Sequence, residues 1–124
     1  MAERNIEKTK RAERRRRRVR GKLFGTAECP RLTVAKSLKN VFVQIIDDER
    51  SVTLAAAASN SKFVVPELKK GMTKTEVAFK VGEVLAQNAK AKGINRIVFD
   101  RNRYGYHGRI KAVAEGARKA GLEF

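Results

Sequence analysis

Hydrophobic positions first recur with strand spacing at Arg31, where Leu32 and Val34 alternate with Thr33 and Ala35. A period of two places one side of a strand on a core, so 31–36 predicts a half-buried strand. Lys36, Ser37, Leu38, Lys39 and Asn40 form a polar, basic connection. Val41 to Ile46 (VFVQII) is apolar on both faces except at Gln44, which predicts a central strand covered on both sides for much of its length. After the polar turn Asp47 to Arg50, Ser51 to Ala58 alternates again, with Val52 and Leu54 on one face and small residues on the other. Three consecutive antiparallel strands are the economical arrangement.

The period then changes. Ser59 to Met72 is a loop, and Thr73 with Glu76 three residues later has the spacing of a capping box, in which each side chain satisfies a free amide at a helix start. Val77, Val81, Val84 and Leu85 follow at helical spacing, widened by Ala78 and Ala89, and Gly93 supplies a stop. Ile94 to Phe99 predicts a fourth strand, and Ile110, Val113, Ala114 and Ala117 a second amphipathic helix ending before Gly121. The expected class is α/β, with order β-β-β-α-β-α. The crossover through a helix makes the fourth strand parallel to a neighbour in a mixed four-stranded sheet with two packed helices.

Residues 3–22 lack such a stripe. They are rich in helix formers, yet Ile6 and Val19 are nearly the only large apolar residues, and Arg14 to Arg18 repel one another. The expectation is an arm disordered in isolation that orders on a phosphate backbone, with a helix as one form. Charge separates the same two regions. The chain has 124 residues and a net charge of +16. Residues 1–25 hold 11 Lys or Arg against three Glu, so half the net charge sits in a fifth of the chain. The division expected is a basic RNA-binding arm and linker at 1–25, then one globular domain at 26–124, a size at which a core forms without disulfide or metal.

Such a charge leaves the fold open but constrains the partner to a polyanion, which releases counterions on docking. Nucleic acid is favoured over a membrane, because the longest purely apolar run is Leu54 to Ala58, far short of a span. No secretory core follows the basic start, and three acids argue against a transit peptide. Cys29 is the sole cysteine. It excludes an intramolecular disulfide, makes a cysteine zinc site implausible, and is expected to be a small residue before the first strand.

The chemistry concentrates in IVFDRNRYGYHGRI, residues 97–110. An apolar strand run ends at Asp100, a loop carries Arg101, Arg103, Tyr104, Tyr106, His107 and Arg109, and a helix begins. Guanidinium pairs bidentately with phosphate while Tyr, His and Arg planes stack on unpaired bases, so RNA is the first candidate ligand. Asp100 would repel phosphate and is expected to hold Arg101 or cap a turn. His107 lies seven residues beyond Asp100, but acid–base catalysis also needs a nucleophile or metal with supporting geometry.

Together with RLTVAKSLKNVFVQ (31–44) and the arginine-rich arm, the segment FDRNRYGYHGRIKAVAEGARKAGLEF resembles the bacterial-type L-eighteen family of large-subunit ribosomal proteins, which bind 5S ribosomal RNA. The resemblance implies strand order 3-2-1-4, similar to the ribonuclease-H-like motif. It also implies a place in the central protuberance, with 5S rRNA, 23S rRNA and neighbouring 5S-binding ribosomal proteins as partners. Lys36, Ser37, Lys39 and Asn40 match the family's basic hairpin connection, and Asp100, Arg101, Tyr104, Tyr106, His107, Gly108 and Arg109 its C-terminal loop. Where the family usually has small residues, often glycine, this chain has Asn102 and Arg103.

The RNA-facing set expected is Arg14, Arg15, Arg16, Arg17, Arg18, Arg20 and Lys22 of the arm, Arg31, the hairpin residues Lys36, Ser37, Lys39 and Asn40, and Arg101, Arg103, Tyr104, Tyr106, His107 and Arg109. No catalytic residue, metal, cofactor or homo-oligomer is expected. Two-metal cleavage needs converging carboxylates, whereas the first strand has none and Asp47, Asp48 and Glu49 cluster in a turn. A metal-dependent nuclease, a general DNA-binding protein and an adaptor for acidic proteins are the rivals. The expected location is the cytoplasmic ribosome, with an organellar ribosome left open.

Overall fold

The strand-type runs form one four-stranded sheet in the computed structural model, whose described residues are 2–20 and 23–124, with side chains described from Lys8 to Arg18 and from Leu23 onward. A helix, α1, spans Ala2–Arg20. Strands β1 (Arg31–Lys36), β2 (Val41–Asp47) and β3 (Val52–Ala58) follow, then helix α2 (Lys74–Ala91), the short strand β4 (Val98–Asp100) and helix α3 (Arg109–Lys119). Sheet order is β3-β2-β1-β4. β1 pairs antiparallel with β2, and β2 with β3, while β4 runs parallel to β1 with Leu32 opposite Phe99.

Alternation explains which face is covered. Leu32 and Val34 of β1, and Val41, Val43 and Ile45 of β2, are buried under α2 and α3 with Val81, Leu85, Ile110 and Val113. Fully burying each large aliphatic side chain contributes about 1.5–3 kcal/mol. The opposite side of β2 is only partly covered, short of the two-sided expectation: Phe42 is 41% exposed, and Gln44 and Ile46 are half-buried. On β3 Ala55 and Ala57 turn inward and Ala56 outward. Ala55 and Ala57 are buried while Val52 is 46% exposed, so the small-residue face is the one that takes the core. A register irregularity between Ile45 and Ile46 shifts the pairing there, which is how an extra residue re-aims side chains.

The helix signals hold at residue level. Thr73 Oγ1 accepts from Glu76 N at 3.2 Å, and Gly93 after α2 has φ +85°. α2 and α3 approach so closely that a Cβ on Gly82 would strike the Val113 carbonyl, and one on Gly116 the Phe79 carbonyl. The predicted fourth strand contracts to three residues. Its first half pairs with the chain's end instead of β1: Ile97 N donates to Glu123 O at 3.1 Å, and Glu123 N to Asn95 O at 2.9 Å.

Candidate nucleic-acid interface

Parallel strands have their C-terminal ends on the same side, so the β1–β2 connection and the β4–α3 loop emerge together at one end of the sheet. Two side chains join them. The Tyr104 hydroxyl accepts from Lys36 N at 3.2 Å and lies 3.4 Å from Lys36 O, and Arg109 NH1 donates to Ser37 O at 2.9 Å. Asn40 is fixed from β3's end, its Oδ1 accepting from Ser59 Oγ at 2.8 Å. The connection itself is a tight turn, with Ser37 N to Asn40 O at 2.8 Å and Asn40 N to Ser37 Oγ at 3.1 Å. Lys39 is exposed at its tip.

The ring of Tyr104 is half-buried between two cations, with Lys36 Nζ 5.2 Å and the Arg103 guanidinium 5.5 Å from its centroid. Such contacts contribute about 0.5–1 kcal/mol at exposed sites. Arg101 NH1 donates to Tyr104 O at 2.9 Å, which folds the loop on itself. Tyr106 stands edge-on to Phe99 at 6.0 Å and its hydroxyl accepts from Arg118 NH1 at 3.2 Å, leaving the residue 43% exposed. His107 is exposed, and Gly108, with φ +59°, turns the chain into α3 without a side-chain cap. The loop therefore offers one pinned ring, two accessible rings in Tyr106 and His107, and several accessible cations.

Arg31 is the correction to the expected set. Its guanidinium is held inside: Nε and NH2 meet Asp48 Oδ2 and Oδ1 at 2.9 and 3.0 Å, and NH1 meets Asp100 Oδ2 at 2.7 Å. The Asp48 hydrogen bonds above all, with those of Asp100, raise its pKa beyond the ordinary arginine value against the opposing desolvation. A cation gripped by two carboxylates is not presented to phosphate. Asp100 thus holds Arg31 rather than Arg101, and it does cap a turn, accepting from Asn102 N at 2.8 Å.

The arm takes the helical form that the sequence allowed and adds a foothold on the domain: Ala12 is buried, and Arg16 Nε donates to Asn102 Oδ1 at 3.0 Å. Arg14, Arg15, Arg17 and Arg18 are exposed. Lys22 and the side chain of Arg20 lie outside the described residues. Within the segment read as a linker, Gly25 N donates to Asp48 Oδ2 at 2.7 Å and Gly25 O accepts from Asp48 N at 3.0 Å. Three contributors escaped the sequence: Asn102, Arg118 and Asp48. Only Asn102 carried a signal, because asparagine tolerates the left-handed backbone that glycine favours there.

Among the described residues no group of three or more His, Cys, Asp and Glu is placed to hold a metal ion. Asp48 and Asp100 are turned onto Arg31, and Asp47 Oδ1 accepts from Glu49 N at 3.0 Å. Among those residues no helix is long and apolar enough to cross a membrane.

Residues 6–124 match the family described as "Ribosomal L18 of archaea, bacteria, mitoch. and chloroplast". The chain belongs to the ribosomal L18 family. Large ribosomal subunit protein uL18 of Desulforudis audaxviator (strain MP104C) is 55% identical over 116 residues, covering 90% of this chain and 91% of that protein. The same-named protein of Caldicellulosiruptor saccharolyticus is 55% identical over 113 residues, with 89% and 88% covered. That of Ligilactobacillus salivarius is 51% identical over 118 residues, with 95% and 96% covered. The match spans the L18 arm, both loops and both domain helices alike.

Proposed function

We propose that this L18-family chain is a non-catalytic constituent of the large ribosomal subunit that binds 5S rRNA and helps attach it to 23S rRNA in the central protuberance, beside neighbouring 5S-binding proteins. The observation that carries it is the fusion of two loops, through Tyr104 and Arg109, into one basic and aromatic surface at the sheet's end. A pre-shaped surface reads RNA by shape and by stacking on unpaired bases. The arm, 1–25, supplies sequence-independent phosphate contacts, and the domain, 26–124, supplies selectivity.

Filter binding of the full chain to 5S rRNA, with unrelated RNA and duplex DNA as competitors, tests this. Affinity is expected to fall with salt with a log–log slope of ~0.7–0.9 per phosphate contact. Removing residues 1–22 lowers that slope and keeps the preference for 5S rRNA, whereas neutralising Arg101, Arg103 and Arg109 together weakens the preference itself. A flat salt dependence, equal binding to all competitors, or the reverse assignment of effects refutes it.

A further inference from the structure

Asn102 occupies a position that side chains rarely tolerate. Its φ is +60°, in the left-handed region, yet the residue is only 8% exposed. Three hydrogen bonds hold it there: its amide N donates to Asp100 Oδ1 at 2.8 Å, its Nδ2 to the Val34 carbonyl at 3.3 Å, and its Oδ1 accepts from Arg16 Nε at 3.0 Å. The first two fasten the residue to the sheet and the third fastens the arm to the residue. Glycine would meet the backbone requirement more easily, so the side chain has a use of its own.

Beside this junction lies a cleft of about 390 Å³ lined by Lys8, Thr9, Ala12 and Arg15 of α1 and by Arg103 of the β4–α3 loop. That is room for about a dozen waters, hence for a hydrated phosphodiester. Among the described lining residues the charged ones are three cations drawn from two separate segments, with no carboxylate. Converging like charges raise one another's free energy, and an anion between them reverses the sign of that interaction.

We propose that this cleft is a phosphodiester site for an RNA backbone, assembled between arm and loop by Asn102 acting as a latch on Arg16. The site deepens the RNA-binding role proposed above and rests on it. Asn102 is a positioning residue: it touches the arm, and the arm and Arg103 touch the phosphate. Arg16 is used to dock the helix, so the arm meets RNA in a fixed orientation.

Asn102→Gly in the full chain tests the latch, because glycine retains the left-handed backbone and removes both side-chain bonds. Amide exchange without RNA is expected to accelerate at residues 8–18, since a short helix rich in like charges is marginal when undocked, while β1 and β2 stay protected. Binding is then measured against salt on 5S rRNA and on an unrelated structured RNA. The variant is expected to lose roughly three- to tenfold in affinity on both, and ~0.7–0.9 from the salt slope, the loss of one phosphate contact. Arg103→Gln gives a similar slope loss, and the double variant is little worse than either single one because both dismantle one cleft. Unchanged exchange at 8–18, an unchanged slope, or fully additive losses overturns the proposal. Failure of the wild-type chain to prefer 5S rRNA would instead defeat the 5S assignment, while exchange and slope still decide the cleft.

Discussion

Asp100→Asn isolates the ion triad that supports the loop end of the sheet. Asp100 is fully buried and Arg31 is 9% exposed, so little solvent screens their 2.7 Å contact. Breaking a buried pair by removing one partner typically costs about 3–5 kcal/mol. Here Arg31 keeps two hydrogen bonds to Asp48, and asparagine retains an oxygen for the Asn102 amide. The expected loss is therefore smaller, about 2–3 kcal/mol, near the value of a single charge-assisted hydrogen bond. That is a large share of the 5–15 kcal/mol typical of a domain, and corresponds to roughly 10 °C in Tm. Urea unfolding followed by circular dichroism measures it, with an unchanged m-value as the sign that compactness is unaltered. Asp100→Ala, which also removes the acceptor for Asn102 N, is expected to lose about 1 kcal/mol more. If Asp100→Asn falls within about 0.5 kcal/mol of the wild type, the range of ordinary surface substitutions, the triad does not support the loop as argued.

Two further substitutions probe the packing and the site. Gly116→Ala is expected to destabilise by about 1–3 kcal/mol through overpacking against the Phe79 carbonyl, despite the ~1 kcal/mol that alanine gains over glycine in a helix interior; a stabilised variant in urea unfolding would show that α3 moves aside freely. Tyr104→Phe keeps the ring between Lys36 and Arg103 but removes the hydroxyl that joins the two loops, so a loss of about 1 kcal/mol and faster exchange of the Lys36 amide are expected. An unaltered Lys36 amide would mean that the hydroxyl does not hold β1's end.

What could be read from the sequence was what depends on near neighbours. β1 was found to the residue because its alternation is local, and α2 because Thr73 and Glu76 form a box within one turn. The order β3-β2-β1-β4, implied by resemblance to the family, agrees with the observed pairing. The failures share a different cause. Arg31 is a cation by composition, and only partners 17 and 69 residues away turn it into the centre of a buried triad. Gly82 and Gly116 lay inside helical patterns, but the close crossing that uses their missing side chains exists only after α2 and α3 pack. The fourth strand had the right residues, and the C-terminal Glu123 took their backbone groups before β1 could.

The same distinction orders the site. Charge and aromaticity placed the loop 101–109 in view, because those properties belong to residue types. Whether a ring or a cation faces outward is decided by contacts across the fold: Tyr104 is pinned to β1, Tyr106 is left accessible on Phe99, and Arg16 leaves the row of arm cations to meet Asn102. One consequence is that net charge overstates the cations left at the surface. Arg31 is withdrawn entirely and Arg16 is used for docking, whereas Arg14, Arg15, Arg17 and Arg18 remain at the surface. In the proposed function, electrostatic attraction comes from this exposed group and is largely indifferent to sequence. In that proposal selectivity comes from a rigid shape, and the rigidity of the loop end is built by the very residues, Arg31, Asp100 and Asn102, whose charges or polar atoms are turned inward.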